Sequence, residues 1–192
     1  MTDAIFQQAY RFVLHGDTPK PGKPKLWAGE KGKHLPTRAD PHPTLDGVIQ
    51  STYDAYRDRL GRARQSVLLM EPEEREAIYR DFWHQSHAGK LEAMGKTRLA
   101  ICHYTTFFNL PPAAANKILQ RAIGATADGA VGPNTLDAAA RADDLQAAVR
   151  YCGQLVRYYK QIASDGGPDD RHAPNLNGWL LRVTAIQKEV GL

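Results

Sequence analysis

Apolar positions recur at helical spacing along most of the chain. Between Ile5 and Val13 the apolar residues stand one, three or four positions apart, which predicts a helix over residues 3–15. Gly16 and then Pro19 follow this segment and would end the helix. Similar spacing predicts further helices over residues 48–60, from about Pro72 onward, and over 97–108, 113–123, 133–141, 143–163 and 177–190. The pattern therefore predicts a mainly α protein, with one short strand signal around residues 44–50.

Residues 17–43 interrupt the helical pattern. This segment holds six prolines, three glycines and six lysines or arginines. An irregular stretch of this length inside a compact protein is usually functional or disordered. Two interpretations stay open: a solvated basic loop, or a surface that docks a protein partner.

Composition narrows the class of protein without naming a function. The 192 residues suit one domain, or one domain with a small subdomain, and 42% hydrophobic content permits a real core. No run of about 18 apolar residues is present, so we expect no membrane span. The N-terminus lacks a basic region followed by an apolar stretch, so we expect no signal peptide and synthesis in the cytoplasm. The net charge of +4 favours polyanionic partners, although a well-solvated surface explains it equally well.

The cysteines and histidines do not indicate a metal or a cofactor. Cys102 and Cys152 both stand in helix-like apolar surroundings, which favours buried free thiols over a disulfide. Cys102 and His103 are adjacent, so they point to different faces of a helix and cannot act as a nucleophile and its base. The spacing of the other histidines does not require a metal site.

A glycine-punctuated turn is the most distinctive local pattern. The apolar segment Leu119–Ile123 stops at Gly124, and the sequence Asp-Gly-Ala-Val-Gly-Pro-Asn-Thr follows from Asp128 to Thr135. Glycine permits positive φ, proline fixes φ, and Asn or Thr can cap the next helix. The pattern resembles the signature of peptidoglycan-binding modules, which implies that Asp128 and Thr135 contact the wall polymer. A purely structural turn between two helices is an equal alternative.

A longer, ordered set of motifs extends this resemblance. Residues 40–50 (Asp-Pro-His-Pro-Thr-Leu-Asp-Gly-Val-Ile-Gln) resemble a segment of glycoside hydrolase family 108, the lysozyme-like N-acetylmuramidases. Further matches in the same order are Ile78–Trp83, Asn109 eleven positions before Gln120, and Gly178-Trp179 followed by Arg182. The resemblance runs from about 40 to 185. It implies a lysozyme-like helical fold with a muramidase part over 1–110 and a peptidoglycan-binding-like part over 111–192, packed as one unit.

The resemblance departs from the family at the catalytic end. In the family the first helix runs directly into the catalytic glutamate, whereas His15 is followed here by Gly-Asp-Thr-Pro. Aligning Glu30 with that glutamate preserves its spacing to Asp40 but requires about fourteen inserted residues. On this alignment the resemblance implies Glu30 as general acid, Asp40 as the residue that positions water, and Thr44 as its helper. Asp17 is a lesser candidate for the acid.

The implied reaction is hydrolysis of the β-1,4 bond between N-acetylmuramic acid and N-acetylglucosamine. A glycosidase of this kind needs a protonated carboxyl at the glycosidic oxygen and a second group on the opposite sugar face. Trp27, in the irregular segment, is a candidate for stacking on the sugar, and Asn109 is a further candidate contact. Such a protein would act at the bacterial cell wall after cell lysis, virion delivery or specialised export.

An alternative function follows from the displaced acid. A Lys- and Pro-rich loop holds a catalytic carboxyl less rigidly than a helix end does. The chain could therefore be an inactive muramidase scaffold that binds cell wall, or a protein partner through residues 17–43. Nucleic acid is a third and less favoured partner, because the basic loop lacks the interleaved aromatic residues of single-strand binders.

Overall fold

A computed structural model describes residues 3–15, 44–164 and 173–192. Within these ranges the protein is mainly helical, which confirms the predicted class and is consistent with a lysozyme-like fold. The elements are α1 (Ala4–His15), β1 (Thr44–Leu45), β2 (Val48–Ile49), α2 (Gln50–Arg59), α3 (Pro72–Gln85), α4 (Ala88–Ala93), α5 (Thr97–Phe107), α6 (Pro112–Ile123), α7 (Pro133–Arg141), α8 (Asp144–Ser164) and α9 (Leu176–Glu189). Among the described helices, none is long and apolar enough to cross a membrane. All of the irregular segment predicted over 17–43 lies outside these ranges, including Trp27, Glu30 and Asp40.

The chain divides into two compact units. One comprises residues 1–17 and 82–192, and the other comprises residues 18–81. The motif-based division into parts 1–110 and 111–192 stays a prediction.

Helix α5 lies at the centre of the larger unit. Every residue from Leu99 to Phe107 is buried, so this helix contacts neighbours on all sides rather than along one stripe. It packs against α1, α4, α6 and α8. Phe6, Trp83 and Tyr104 form an aromatic cluster, with ring centroids 5.1 Å apart for Trp83 and Tyr104.

Helix α8 closes the other side of that core. Its buried residues recur three or four positions apart, as the helical period requires: Ala147, Ala148, Tyr151, Cys152, Leu155, Tyr159 and Ala163. The small residues allow a close approach of α5 and α6, and α9 packs against the same helix. Tyr159 is buried and stacks on Trp179, whereas the neighbouring Tyr158 is half-buried.

The smaller unit begins its described part with a two-stranded antiparallel hairpin. Thr44 pairs with Ile49, and Leu45 pairs with Val48. The turn residues Asp46 and Gly47 have φ values of 49° and 79°, as two-residue hairpins with the right-handed strand twist require. Helix α3 supports this turn, because the Tyr79 hydroxyl donates to the Asp46 carbonyl over 2.5 Å and Arg75 pairs with the Asp46 carboxylate. The predicted strand piece around 44–50 is therefore a hairpin.

Candidate functional site

The loop between α6 and α7 is built on a glycine that ends the helix. Gly124 has a φ of 73°, the left-handed conformation that L-residues with a side chain adopt at a cost. The N–H of Ala125 donates to the Gln120 carbonyl over 2.8 Å, and the N–H of Gly124 donates to the Arg121 carbonyl over 3.4 Å. This pair of bonds is a Schellman motif, which satisfies carbonyls that the helix end leaves open. The chain is thereby turned back over its own helix.

The fully buried side chain of Gln120 organises this loop. Its amide nitrogen donates to the Asp128 carboxylate over 2.6 Å, to the Ala130 carbonyl over 2.9 Å and to the Thr135 hydroxyl over 3.2 Å. Its amide oxygen accepts the N–H of Gly129 over 2.9 Å. A single amide therefore joins residues 128–130, in the middle of the loop, to Thr135 in the first turn of α7. We call Gln120 together with residues 124–135 the Gln120 loop.

A second amide on α6 also binds the Gln120 loop, at Gly129. Asn116 donates through its side-chain nitrogen to the Gly129 carbonyl over 2.9 Å. Gly129 has a φ of 89°, and a Cβ placed there would lie 3.3 Å from the Ala113 carbonyl oxygen. A glycine is required at this position by both the backbone conformation and the close approach to the helix.

The two motif residues predicted to contact wall polymer lie together in this loop. The Asp128 carboxylate accepts the N–H of Ala130 and the amide of Gln120, and these two hydrogen bonds lower its pKa. Asp128 is exposed to solvent, whereas Thr135 is buried and its hydroxyl donates to the Ala130 carbonyl. Both residues have a structural role in the loop. The exposed, ionised Asp128 is the one of the two that can also meet a ligand directly.

The other predicted site residues are not part of the Gln120 loop. Asn109 follows α5 and is exposed, and its side-chain nitrogen donates to the Thr105 carbonyl over 2.7 Å. Thr44 begins β1 in the smaller unit and is half-buried. Trp27, Glu30 and Asp40, like the lesser candidate Asp17, lie outside the described residues. Their roles stay predictions.

The smaller unit holds a buried carboxylate that sequence reasoning did not single out. Glu74 accepts hydrogen bonds from Arg57 over 2.9 Å, from Arg62 over 3.2 Å and from the Tyr53 hydroxyl. Burial opposes ionisation of Glu74, but the bonds from Tyr53 and the Glu71 N–H, the charge of Arg57 and the bond from Arg62 lower its pKa. This carboxylate is ionised at neutral pH and fixes α2 to α3. It is therefore unsuited to act as a general acid.

Gln120 was missed as a single residue, although the sequence contained a signal for it. The pair Leu119-Gln120 belongs to the glycine-rich signature. The sequence alone does not show which groups the glutamine side chain bonds. Only the fold shows that residues eight and fifteen positions downstream return to the same side chain. Asn116 carried no such signal, because it lies outside the signature.

Comparison with known proteins gives two findings. Residues 114–184 match the sequence model of a family described as "Predicted Peptidoglycan domain". This range contains the Gln120 loop, α7, α8 and most of α6 and α9. No curated protein sequence matches the chain.

The second finding concerns the fold. The protein is similar to a solved structure described as that of SagA from Brucella abortus, with a TM-score of 0.68 and 20% sequence identity. The similarity covers 98% of this chain and 95% of the SagA chain. The part of the protein that contains the Gln120 loop is thus similar to a predicted peptidoglycan domain, and the fold is similar to that of SagA over nearly its whole length.

Proposed function

We propose that this protein acts on bacterial peptidoglycan and that residues 114–184 bind the polymer. The observation that carries this proposal is the family match over that range, which contains the Gln120 loop. The exposed, ionised Asp128 offers an acceptor for the hydroxyl and amide groups of an amino sugar. The loop backbone is held by two buried or half-buried amides, so its exposed surface is preorganised for binding.

The finer part of the proposal is hydrolysis of the β-1,4 bond between N-acetylmuramic acid and N-acetylglucosamine. Glu30 would protonate the leaving oxygen, and Asp40 with Thr44 would position water on the opposite face of the sugar. Trp27 would stack on a sugar ring, while Asn109, Asp128 and Thr135 would contribute to binding. These assignments rest on the ordered motifs between residues 40 and 185.

One experiment separates binding from hydrolysis. Purified peptidoglycan is incubated with the protein, then centrifuged to measure bound protein and assayed for new reducing ends. Wild type is compared with Glu30→Gln and Asp40→Asn, and with Glu73→Gln as a matched control, since Glu73 is exposed in the first turn of α3. Reducing ends that disappear in the first two variants but persist in the control support the proposed mechanism.

A second candidate function is a non-catalytic protein on the same scaffold. It is favoured by one observation: α1 ends at His15 and contains no glutamate, so the helix end that carries the family's acid lacks it here. Such a protein would bind the cell wall, or a protein partner through residues 17–43. Wild type that pellets with peptidoglycan but releases no reducing ends would favour this candidate. Wild type that does neither would contradict the proposed function and also the wall-binding form of this candidate.

The proposed site of action is the bacterial cell wall. The protein would be made in the cytoplasm and would reach the wall after lysis, virion delivery or specialised export. The test measures how much of the protein is found in the cell-wall fraction, and compares intact cells with cells that have lysed.

A further inference from the structure

Ion pairs are distributed unevenly between the two units. Between described residues, every ion pair other than Arg98–Asp144 lies within the smaller unit. The exposed cations Arg150, Arg157 and Lys160 of α8 have no carboxylate partner in the part of the chain that the structure describes. Their charges are therefore available to a ligand.

The two carboxylates at the start of α8 bind backbone groups instead of these cations. Asp143 accepts the N–H of Gln146 over 2.8 Å, and Asp144 accepts the N–H of Leu99 in the first turn of α5 over 3.1 Å. Carboxylates at helix N-termini are stabilised by the free N–H groups and by the helix dipole. The acidic residues nearest in sequence thus have a structural role and leave the cations further along α8 unneutralised.

The three cations share one side of α8. An α-helix has about 3.6 residues per turn and rises about 1.5 Å per residue, so Arg150 and Arg157 lie about two turns and about 10 Å apart along one line. Lys160 follows Arg157 by three positions, which places it on the same side of the helix. We call Arg150, Arg157 and Lys160 the α8 cationic face.

The end of α6 holds Arg150 in place. Its Nε donates to the carbonyl of Ala122, in the last turn of α6, over 2.7 Å. An arginine that is already held loses less conformational freedom when it binds a ligand. Its planar guanidinium also matches the geometry of a carboxylate, which it can bind through two parallel N–H bonds.

An exposed apolar edge runs beside these cations. Leu145 is 42% exposed and Val149 is 47% exposed, and their spacing of four positions places them on the same side of α8. A ligand that carries both carboxylates and short aliphatic groups fits this combination of edges. A second copy of the same face fits it poorly, because like charges would meet.

We propose that the α8 cationic face binds the free carboxylates of peptidoglycan stem peptides. This inference rests on the proposed function, since all of α8 lies within the matched residues 114–184. Arg150 and Arg157 each bind a carboxylate, and the apolar edge contacts the aliphatic groups of the peptide. The Gln120 loop binds the sugar instead, because its exposed, ionised Asp128 repels carboxylates.

The test compares two double variants that have the same net charge. Arg157→Gln with Lys160→Gln removes two charges from the face, and Arg150 is kept because its bond to Ala122 joins two helices. The control, Arg11→Gln with Lys188→Gln, removes the same charges from exposed positions on α1 and α9, outside the matched range. Each protein is pelleted with peptidoglycan at low salt, before and after its carboxyls are converted to neutral amides.

We expect the face variant to need about 3-fold to about 10-fold more peptidoglycan for half-maximal pelleting than the control variant, because it loses two charge pairs with the ligand. On amidated peptidoglycan the two variants should bind equally. Equal binding of both variants to untreated peptidoglycan would overturn the inference and leave the proposed function standing, provided that wild type still pellets. Wild type that does not pellet would contradict the proposed function as well.

Vesicles that contain phosphatidylglycerol test the competing anionic surface. Loss of vesicle binding in the face variant, with unchanged binding to peptidoglycan, would overturn the inference in favour of a membrane surface. Thermal unfolding verifies that each variant is folded. If the double variant on the face does not fold, Arg157→Gln alone is compared with Arg11→Gln, and the expected difference is then about 2-fold to about 5-fold.

Discussion

At the residue scale, Gln120 does more for the proposed binding surface than the exposed residues around it. Replacing it with alanine would leave the Gly129 N–H, the Ala130 carbonyl and the Thr135 hydroxyl without the amide that joins them. Leaving buried polar groups unpaired is costly, so we expect Gln120→Ala to lower the free energy of unfolding by about 2–3 kcal/mol. Urea denaturation measures this change.

Gln146→Ala is the matched control for that prediction, because Gln146 is an exposed glutamine on α8. It should change the free energy of unfolding by less than about 0.5 kcal/mol. Equal losses in the two variants would show that the amide of Gln120 does not hold the loop. A loss of peptidoglycan binding in Gln120→Ala alone would further connect the loop with the proposed function.

His103 predicts how stability depends on pH. It is fully buried on α5, its Nδ1 lies 3.3 Å from the Tyr151 hydroxyl, and burial together with the charge of His87 lowers its pKa to about 3. In the unfolded chain its pKa is near 6.5, so between these values the unfolded state binds more protons. The contribution of His103 to the free energy of unfolding is therefore fully present above about pH 6.5, and it decreases as the pH falls toward 3.

The matching experiment is urea denaturation of wild type and His103→Leu at pH 7, 6, 5 and 4. Between pH 6 and pH 4 the free energy of unfolding of wild type should fall faster than that of the variant, by at most about 1.4 kcal/mol for each pH unit, and the difference between pH 7 and pH 6 should be smaller. Carboxylates titrate in both proteins, so the difference between the curves isolates His103. Parallel curves would contradict the assignment of a neutral buried imidazole.

The sequence was informative about residue types but less so about their partners. Tyr104 and Phe107 are buried in the core, because aromatic side chains in an apolar helix have few other options. The signature residues Asp128 and Thr135 were found by their spacing. Their common partner Gln120 was not, since a hydrogen bond across fifteen positions depends on where the turn sends the chain.

At the element scale, most helices could be predicted because their apolar positions and end signals agree. The range 133–141 matches α7, where proline occupies the first helical position and glycine precedes it. Helix α4 was not predicted. It follows His87, whose φ of 59° is unusual for a residue with a side chain and has no sequence signal.

Replacing each of two glycines of the larger unit with alanine should change the free energy of unfolding in opposite directions. Gly153 lies inside α8 and Gly124 ends α6 with a φ of 73°, and a Cβ at either position would meet nothing within 4 Å. Backbone conformation alone should therefore decide the outcome. We expect Gly153→Ala to raise the free energy of unfolding by about 0.5–1 kcal/mol.

Gly124→Ala should lower the free energy of unfolding by about 1 kcal/mol, because alanine is strained at positive φ. The pair is measured side by side by urea denaturation. Changes of the same sign in both variants would mean that the helix end is not formed by a left-handed residue. The two substitutions add the same methyl group, so side-chain chemistry cannot explain a difference between them.

At the scale of the whole molecule, helical class was readable from the sequence and the catalytic assignment was not. Hydrophobic periodicity reports which face of an element is buried, and this information is local. The roles proposed for Glu30 and Asp40 would depend instead on how residues 17–43 place two carboxyls relative to a sugar, which is a long-range property. The setting of Cys102 and Cys152 is local by contrast, and both are buried free thiols, as their apolar surroundings predicted.

The net charge of the molecule gives the last prediction. The chain carries a net charge of +4, and peptidoglycan carries free carboxylates on its stem peptides. Electrostatic attraction between the two is screened over about 10 Å at 0.1 M salt and about 3 Å at 1 M. We therefore expect the fraction of protein that pellets with peptidoglycan to fall severalfold between 50 and 500 mM sodium chloride.

Peptidoglycan whose carboxyls have been converted to neutral amides supplies the control. It should bind less protein at 50 mM salt and should show little further loss at 500 mM. Binding that ignores both salt and amidation would mean that uncharged sugar contacts dominate. In that case the net charge would only solvate the surface, and the Gln120 loop would have to recognise hydroxyl and acetamido groups alone.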